Sequence, residues 1–417
     1  MTPLGHPSDA PHSRARLVVV GNGMAAMRTV EEMLATAPQR YDITVFGAEP
    51  HGNYNRILLS SVLAGEKRIA DITLHAPEWY AANGIDLRAG DPVVSIDRAH
   101  RVVRSQGGAE VGYDRLLIAT GSNPVVLPVP GHTLDGVVAF RAISDVERMI
   151  AAAREACRAV VIGGGLLGLE AANGLLQQGM KVSVVHHIDM LMERQLDKSA
   201  STLLQQALEA KGIRFVMSAR TAQIVGDDRV SAVRFEDGRE VAADLVVMTA
   251  GVRPNIELAR QAGLHCERGI VVDDALQTSD PHIYAVGECV QHRGATFGLV
   301  APIWDQARVC GAQLAGVDVA PYEQKSTATR LKVTGVNLFS AGDFKGGPGT
   351  EDMVLRDPRR AVYKRLVLER DRMIGAVLFG DVDDGAWYAD LIRNQTDISR
   401  LRGYLLFGQT LCESKAA

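Results

Sequence analysis

Two glycine-rich turns are the residues best placed for chemistry. Gly21-Asn-Gly23-Met-Ala-Ala26 has the spacing G-x-G-x-x-A, and Gly163-Gly-Gly165-Leu-Leu-Gly168 is a full G-x-G-x-x-G. In such a turn the first glycine permits the tight bend and the second lets the backbone approach a pyrophosphate. The third position must be small so that helix and strand can pack. The phosphates then meet a helix N-terminus, where free N–H groups and the dipole favour negative charge. A carboxylate further on should hold a ribose diol. Glu49, 28 residues past Gly21, is the candidate in the first copy. In the second copy the expected place holds His186, followed by His187. No carboxylate there repels a 2′-phosphate, and imidazole is nearly neutral at pH 7. Either form of nicotinamide dinucleotide, with or without that phosphate, stays open.

The elements that must position these turns repeat as well. RLVVVG at 16–21 and RAVVIG at 158–163 are β-branched runs ending in glycine, as buried parallel strands should. A helix-compatible segment follows each turn, then a second apolar run, Ile43–Phe46 or Val182–Val185. That is a βαβ unit of about thirty residues, present twice. Further strands run into Ala119-Thr-Gly121, into Thr249-Ala-Gly251, and into Ala285-Val-Gly-Glu288. From about 325 to 412, short apolar runs at 361–368 and 374–379 precede a helix-like stretch at 386–393, the pattern of a small α+β domain.

The order GxGxxA, ATG, GxGxxG, AGVRPN, YAVGE resembles the two-dinucleotide flavoprotein family that includes glutathione and rubredoxin reductases, over about residues 16–320. The resemblance implies an α/β fold of two Rossmann-like domains plus the small C-terminal α+β domain. It implies a discontinuous FAD domain at 16–127 and 250–322, an NAD(P)H domain inserted at 128–249, and a C-terminal domain at 325–412 after a tail at 1–15. It places Gly21, Gly23, Met24 and Ala26 at the FAD pyrophosphate, Glu49 at the adenosine ribose and Glu288 at the ribityl chain. Ala119, Thr120, Gly121 and Gly287 line the FAD site, and Leu299 and Trp304 cover the flavin's pyrimidine end. Arg141 reaches either cofactor. Gly163, Gly165, Leu167, Gly168, Glu170, His186 and Gly251 face NADH or NADPH. Glu170 and Arg56 are the catalytic candidates: Glu170 near the nicotinamide, and Arg56 as a cation beside the isoalloxazine. Glu288 departs from the usual aspartate, and Ser61 stands where relatives often carry a lysine.

Narrower motifs are similar to the flavoprotein module of the assimilatory NAD(P)H nitrite reductase large subunit. They include Tyr54-Asn-Arg-Ile-Leu-Leu-Ser-Ser61, Met190-Leu-Met-Glu-Arg-Gln-Leu-Asp197, Phe297-Gly-Leu-Val-Ala-Pro302 and Asp384-Gly-Ala-Trp387. That enzyme continues into iron–sulfur and sirohaem segments. Here the expectation is a free-standing electron-transfer subunit serving a nitrate or nitrite reductase. A rubredoxin or ferredoxin reductase of another pathway is the alternative, and a flavoprotein that senses NADH and binds partners is a third reading from a different class.

Composition narrows the field. The 417 residues exceed one core of about 250–300 residues. A net charge of −4 gives no electrostatic case for nucleic acid. No run reaches the roughly 18 apolar residues of a membrane span, so a cytoplasmic location is expected. The five cysteines, at 157, 266, 289, 310 and 412, contain no CxxC or CxxxxC pair. A redox dithiol, a zinc ribbon and a four-cysteine cluster are therefore not expected. Electrons must leave from the flavin edge to a redox protein acceptor. The acidic run Asp381-Val-Asp-Asp384 reads as a solvated loop rather than a metal site. A homodimer is left open.

Overall fold

The computed structural model describes residues 14–324, 328–333 and 335–416. The first apolar run forms the strand Ala15–Val20, in which Leu17 through Val20 are all buried. A strand covered on both faces carries such an unbroken run. Ala15 already pairs with Tyr41, so the ladder takes in the last residue of the expected tail. Residues 1–13 of that tail lie outside the described residues.

By internal contacts the chain divides into two units. One comprises the chain up to Asn55 together with Thr73–Ser122 and Pro254–Glu323; the other comprises Arg56–Ile72, Asn123–Arg253 and the chain from Gln324 onward. The first unit is built on a parallel five-stranded sheet in the order Ile85–Ala89, Tyr41–Gly47, Ala15–Val20, Arg115–Ile118, Ile283–Ala285. Numbered along the chain this is 3-2-1-4-5, the doubly wound order that opens a crevice at the carboxyl ends of its central strands. The helix Met24–Thr36 packs against the helix Val300–Ala315. Their approach is close: a Cβ at Gly311 would press on the Thr29 carbonyl, the Glu32 side chain and the Met33 nitrogen. A three-stranded antiparallel sheet, Val93–Asp97, Val102–Ser105 and Glu110–Gly112, completes this unit's strands in that stretch.

The second unit repeats the design. Its parallel sheet runs Arg214–Val216, Lys181–Val185, Arg158–Ile162, Leu245–Met248, Val137–Ala139. The short helix Leu59–Leu63 packs against Ile143–Glu155 and Leu166–Gln177. Gly174 leaves room for the buried Leu63, and Gln178 Nε2 donates to the Leu63 carbonyl at 2.7 Å. Residues 56–72 thus group with the second dinucleotide fold.

The expected C-terminal α+β arrangement is present in the same unit. An antiparallel sheet in the order Ala328–Val333, Val336–Gly342, Arg372–Phe379, Val362–Glu369, Thr350–Asp357 carries the helix Gly385–Arg393. Of this region, residues 325–327 and 334 lie outside the described residues. Asp381 and Asp384 are held by the buried Lys364 ammonium at 2.7 and 3.4 Å. The acidic run is therefore partly neutralised from within, at Asp381 and Asp384, while Asp383 is exposed. Among the described residues, no cluster of histidine, cysteine and carboxylate groups could hold a metal, and no helix is long and apolar enough to cross a membrane.

Candidate active site

Steric demands separate the glycines of each turn into two kinds. Gly21 has φ +113°, and a Cβ on it would collide with the Ala119 carbonyl. Gly163 has φ +131° and would collide with the Thr249 carbonyl in the same way. Gly168 sits against the Gly163 carbonyl, and Ala26, its counterpart, is fully buried. The middle glycines differ. Gly23 (φ −86°, ψ −179°) and Gly165 (φ −84°, ψ −178°) are extended and matched, and each precedes a helix whose N-terminus has no side-chain cap. A Cβ on either would meet no protein atom within 4 Å. The chain itself does not need glycine there. A ligand does, because a pyrophosphate must approach the backbone and the uncapped N–H groups. Both turns therefore fit a dinucleotide.

Around the first turn the polar side chains are pre-positioned. The buried Tyr54 hydroxyl donates to the Glu49 carboxylate at 2.9 Å. Asn22, inside the turn, accepts from the Tyr80 hydroxyl at 2.8 Å and donates to the His51 carbonyl at 3.2 Å. Asn53 Nδ2 donates to the Asn22 carbonyl at 3.0 Å. Thr120 Oγ1 donates to the Asn255 carbonyl at 2.6 Å, and the Asn255 N–H returns a bond to the Gly121 carbonyl at 2.9 Å. Gly287, at φ +93°, donates its N–H to the buried Gln306 at 2.8 Å. Ser122 Oγ donates to Glu288 at 2.8 Å. Leu299 caps the Val300–Ala315 helix, and Trp304 on it is 37% exposed, available to a ligand rather than spent on the core. Met24 is the half-buried first residue of the opening helix. Asn53, Ser122 and Gln306 escaped the sequence reading, and Tyr54 entered it only as part of the motif Tyr54–Ser61, with no role of its own.

Within the second unit a cleft brings four predicted residues together. Arg56, Arg141, Leu167 and Glu170 line it with Ile57, Leu59, Ser60 and Phe140. Arg56 opens a short 3-10 turn, Arg56–Leu58, and its guanidinium donates to the Arg141 carbonyl. The Arg141 N–H is fixed by Asp145 at 2.8 Å, so the start of the Ile143–Glu155 helix sets its direction. Leu167 and Glu170, three apart, share the face of the first turn of their helix. Glu170 is 8% exposed, so its carboxylate acts in a shielded medium where a neighbouring cation counts for more than in water. Gly251, at φ +119°, has no protein atom within 4 Å of a would-be Cβ and leaves open space.

His186 is turned away from solvent. It is 5% exposed and its Nδ1 accepts the Gly164 N–H at 3.1 Å. Its proton therefore sits on Nε2, which lies 3.4 Å from Glu193 without hydrogen-bond alignment. Burial holds this imidazole below its ordinary pKa, with the Glu193 charge opposing. His186 is a neutral brace under the glycine turn and supplies no cation.

All five cysteines are free thiols. Burial raises the thiols of Cys266, Cys289, Cys310 and Cys412 above their usual value, which suppresses the reactive thiolate. Only Cys157 is exposed.

Two phosphate cradles, each at the carboxyl edge of its own doubly wound sheet, define an oxidoreductase that uses two dinucleotides. The chain belongs to the pyridine nucleotide-disulphide oxidoreductase family, which matches residues 15–344, and the rubredoxin NAD+ reductase C-terminal domain matches residues 328–396. It is an NAD(P)H-dependent flavoprotein oxidoreductase whose cofactors are FAD and NAD(P)H. It is 49% identical over 386 residues to a nitrite reductase (NAD(P)H) of Bacillus subtilis (strain 168), covering 93% of this chain and 48% of the relative. It is 43% identical over 397 residues to the assimilatory nitrate reductase electron transfer subunit of the same organism, covering 95% and 52%. The chain thus spans about half the length of these relatives. The crystal structure of the covalent putidaredoxin reductase–putidaredoxin complex aligns with a TM-score of 0.86 at 26% identity, over 97% of this chain and 100% of that one.

Proposed function

We propose that this chain passes electrons from NAD(P)H through FAD to a redox protein of an assimilatory nitrate or nitrite reductase system, in the cytoplasm. The observation that carries the reading is the cleft joining Arg56, Arg141, Leu167 and Glu170, in a chain similar over nearly its whole length to such a reductase and such a subunit. Bound FAD supplies two-electron uptake and one-electron release. The chain's residues do the positioning. The turn at Gly21–Ala26 holds one pyrophosphate and the turn at Gly163–Gly168 the other. Glu49, oriented by Tyr54, takes the flavin-side adenosine ribose, and Glu288, oriented by Ser122, the ribityl hydroxyls. Glu170 and Leu167 orient the nicotinamide and exclude water from it, and Arg56 sets a positive charge beside the ring system. Residues 16–127 with 250–322 are proposed as the FAD domain, 128–249 as the NAD(P)H domain and 325–412 as the C-terminal α+β domain.

The test is reduction of purified protein by NADH or NADPH, followed by mixing with separate acceptors. Fast reoxidation by a nitrite or nitrate reductase component supports the proposal. Fast reoxidation by rubredoxin or a ferredoxin, with none by the nitrogen enzymes, replaces it with the second reading. That reading is favoured by the match of residues 328–396 to the rubredoxin reductase C-terminal domain.

A further inference from the structure

The second cradle lacks the acidic residue that its first copy has in Glu49, because His186 holds the place after the strand Lys181–Val185. The fold brings another carboxylate to it. His186 is pinned by the Gly164 N–H at 3.1 Å, and the following loop is fastened back onto the same glycine by the Met192 N–H donating to the Gly164 carbonyl at 3.0 Å. The buried Ser201 hydroxyl accepts the Leu191 N–H at 2.7 Å, and the Gln195 and Leu196 N–H groups close a turn on the Met192 carbonyl. Met192 itself takes φ +50° to make the bend. The next residue is Glu193, half-exposed, with its carboxylate 3.4 Å from His186 Nε2. The two copies thus converge on one arrangement. In each, a carboxylate lies past the second strand beside a ring: Glu49 accepts the Tyr54 hydroxyl at 2.9 Å, and Glu193 lies 3.4 Å from His186 Nε2.

We propose that Glu193 is the specificity-determining residue of the nicotinamide dinucleotide site: its carboxylate accepts hydrogen bonds from the 2′- and 3′-hydroxyls of the adenosine ribose and repels a 2′-phosphate. The substrate class is therefore NADH over NADPH. The exposed Arg194, next to Glu193 in sequence, is the cation that a 2′-phosphate would recruit instead. This inference rests on the second glycine turn binding a nicotinamide dinucleotide.

The experiment is calorimetric titration of the flavin-loaded protein with ADP-ribose and with 2′-phospho-ADP-ribose, for wild type, Glu193→Gln and Arg194→Ala, with flavin content as the check on folding. Wild type should bind ADP-ribose the tighter by at least about tenfold, the worth of a hydrogen-bonded charge. Glu193→Gln should weaken ADP-ribose about tenfold, narrow the preference and keep its flavin. Arg194→Ala should leave ADP-ribose affinity unchanged and weaken 2′-phospho-ADP-ribose. Equal or tighter binding of the phosphorylated ligand, or unchanged ADP-ribose affinity in Glu193→Gln, overturns the assignment to Glu193 and leaves the dinucleotide site standing. Failure of wild type to bind either ligand overturns the dinucleotide site and this inference with it.

Discussion

A single added methyl distinguishes what the fold needs from what the ligand needs. Gly21→Ala places a side chain at φ +113° against the Ala119 carbonyl. It should cost at least about 1–3 kcal/mol in the flavin-free protein. Gly23→Ala meets no protein atom. It should cost no more than about 1 kcal/mol, the difference between glycine and alanine as a helix cap, yet abolish flavin retention. Urea unfolding of flavin-free protein and the flavin content of purified protein check the two halves. His186 carries a second prediction. The folded protein binds its proton less readily than the unfolded chain does. The stability tied to the neutral ring is therefore fully present above the unfolded pKa of about 6.5 and is lost as pH falls below it. His186→Asn, which can still accept the Gly164 N–H, should flatten the fall in melting temperature between about pH 7 and pH 5 relative to wild type. The glycines were legible because their spacing is a steric rule. The inward turn of His186 was not, because nothing in its neighbours along the chain says which ring nitrogen meets a backbone N–H.

Helices and strands add links that no local pattern announces. Asp197 caps the Lys198–Glu209 helix, accepting the Ala200 N–H at 2.8 Å, and its other oxygen accepts the Tyr363 hydroxyl at 2.6 Å. Arg365 lies 3.4 Å from the same oxygen and pairs with Asp352. Asp197→Ala should lose the cap, about 1 kcal/mol, and strand the buried Tyr363 hydroxyl at a further cost of about 1–3 kcal/mol. Asp197→Asn keeps one acceptor oxygen for the Ala200 N–H and turns an amide N–H toward the Tyr363 hydroxyl, which can accept it, and should cost less; denaturant midpoints of the two variants decide this. The helix was readable from its own residues. The partner in a strand 166 positions later was not, since side-chain reach across a sheet leaves no period in the sequence. The paired parallel sheets were readable because apolar runs and glycine turns recur together. The capture of residues 56–72 by the second unit depends on Leu63 entering the notch at Gly174, a fit of shapes rather than a pattern.

At the level of the whole chain, sulfur stands apart from the chemistry. Alkylation of the native protein should modify Cys157 first, because the other four thiols are wholly or partly buried. NADH-driven dye reduction should continue at an unchanged rate after one equivalent of label, as mass spectrometry and turnover assays together would establish. A loss of turnover in step with Cys157 labelling would contradict direct exit of electrons from the flavin.

The seat of the Met24–Thr36 helix extends this logic away from any ligand. Gly311 lets the two helices touch almost backbone to backbone. A methyl group inserted there would act as a shim under a beam whose far end is the proposed seat of the pyrophosphate. The helix would have to tilt or lift, and its N–H groups would no longer converge on one point. Cofactor affinity would then be governed from a position that meets no cofactor, and a survey restricted to ligand-lining residues would pass over it.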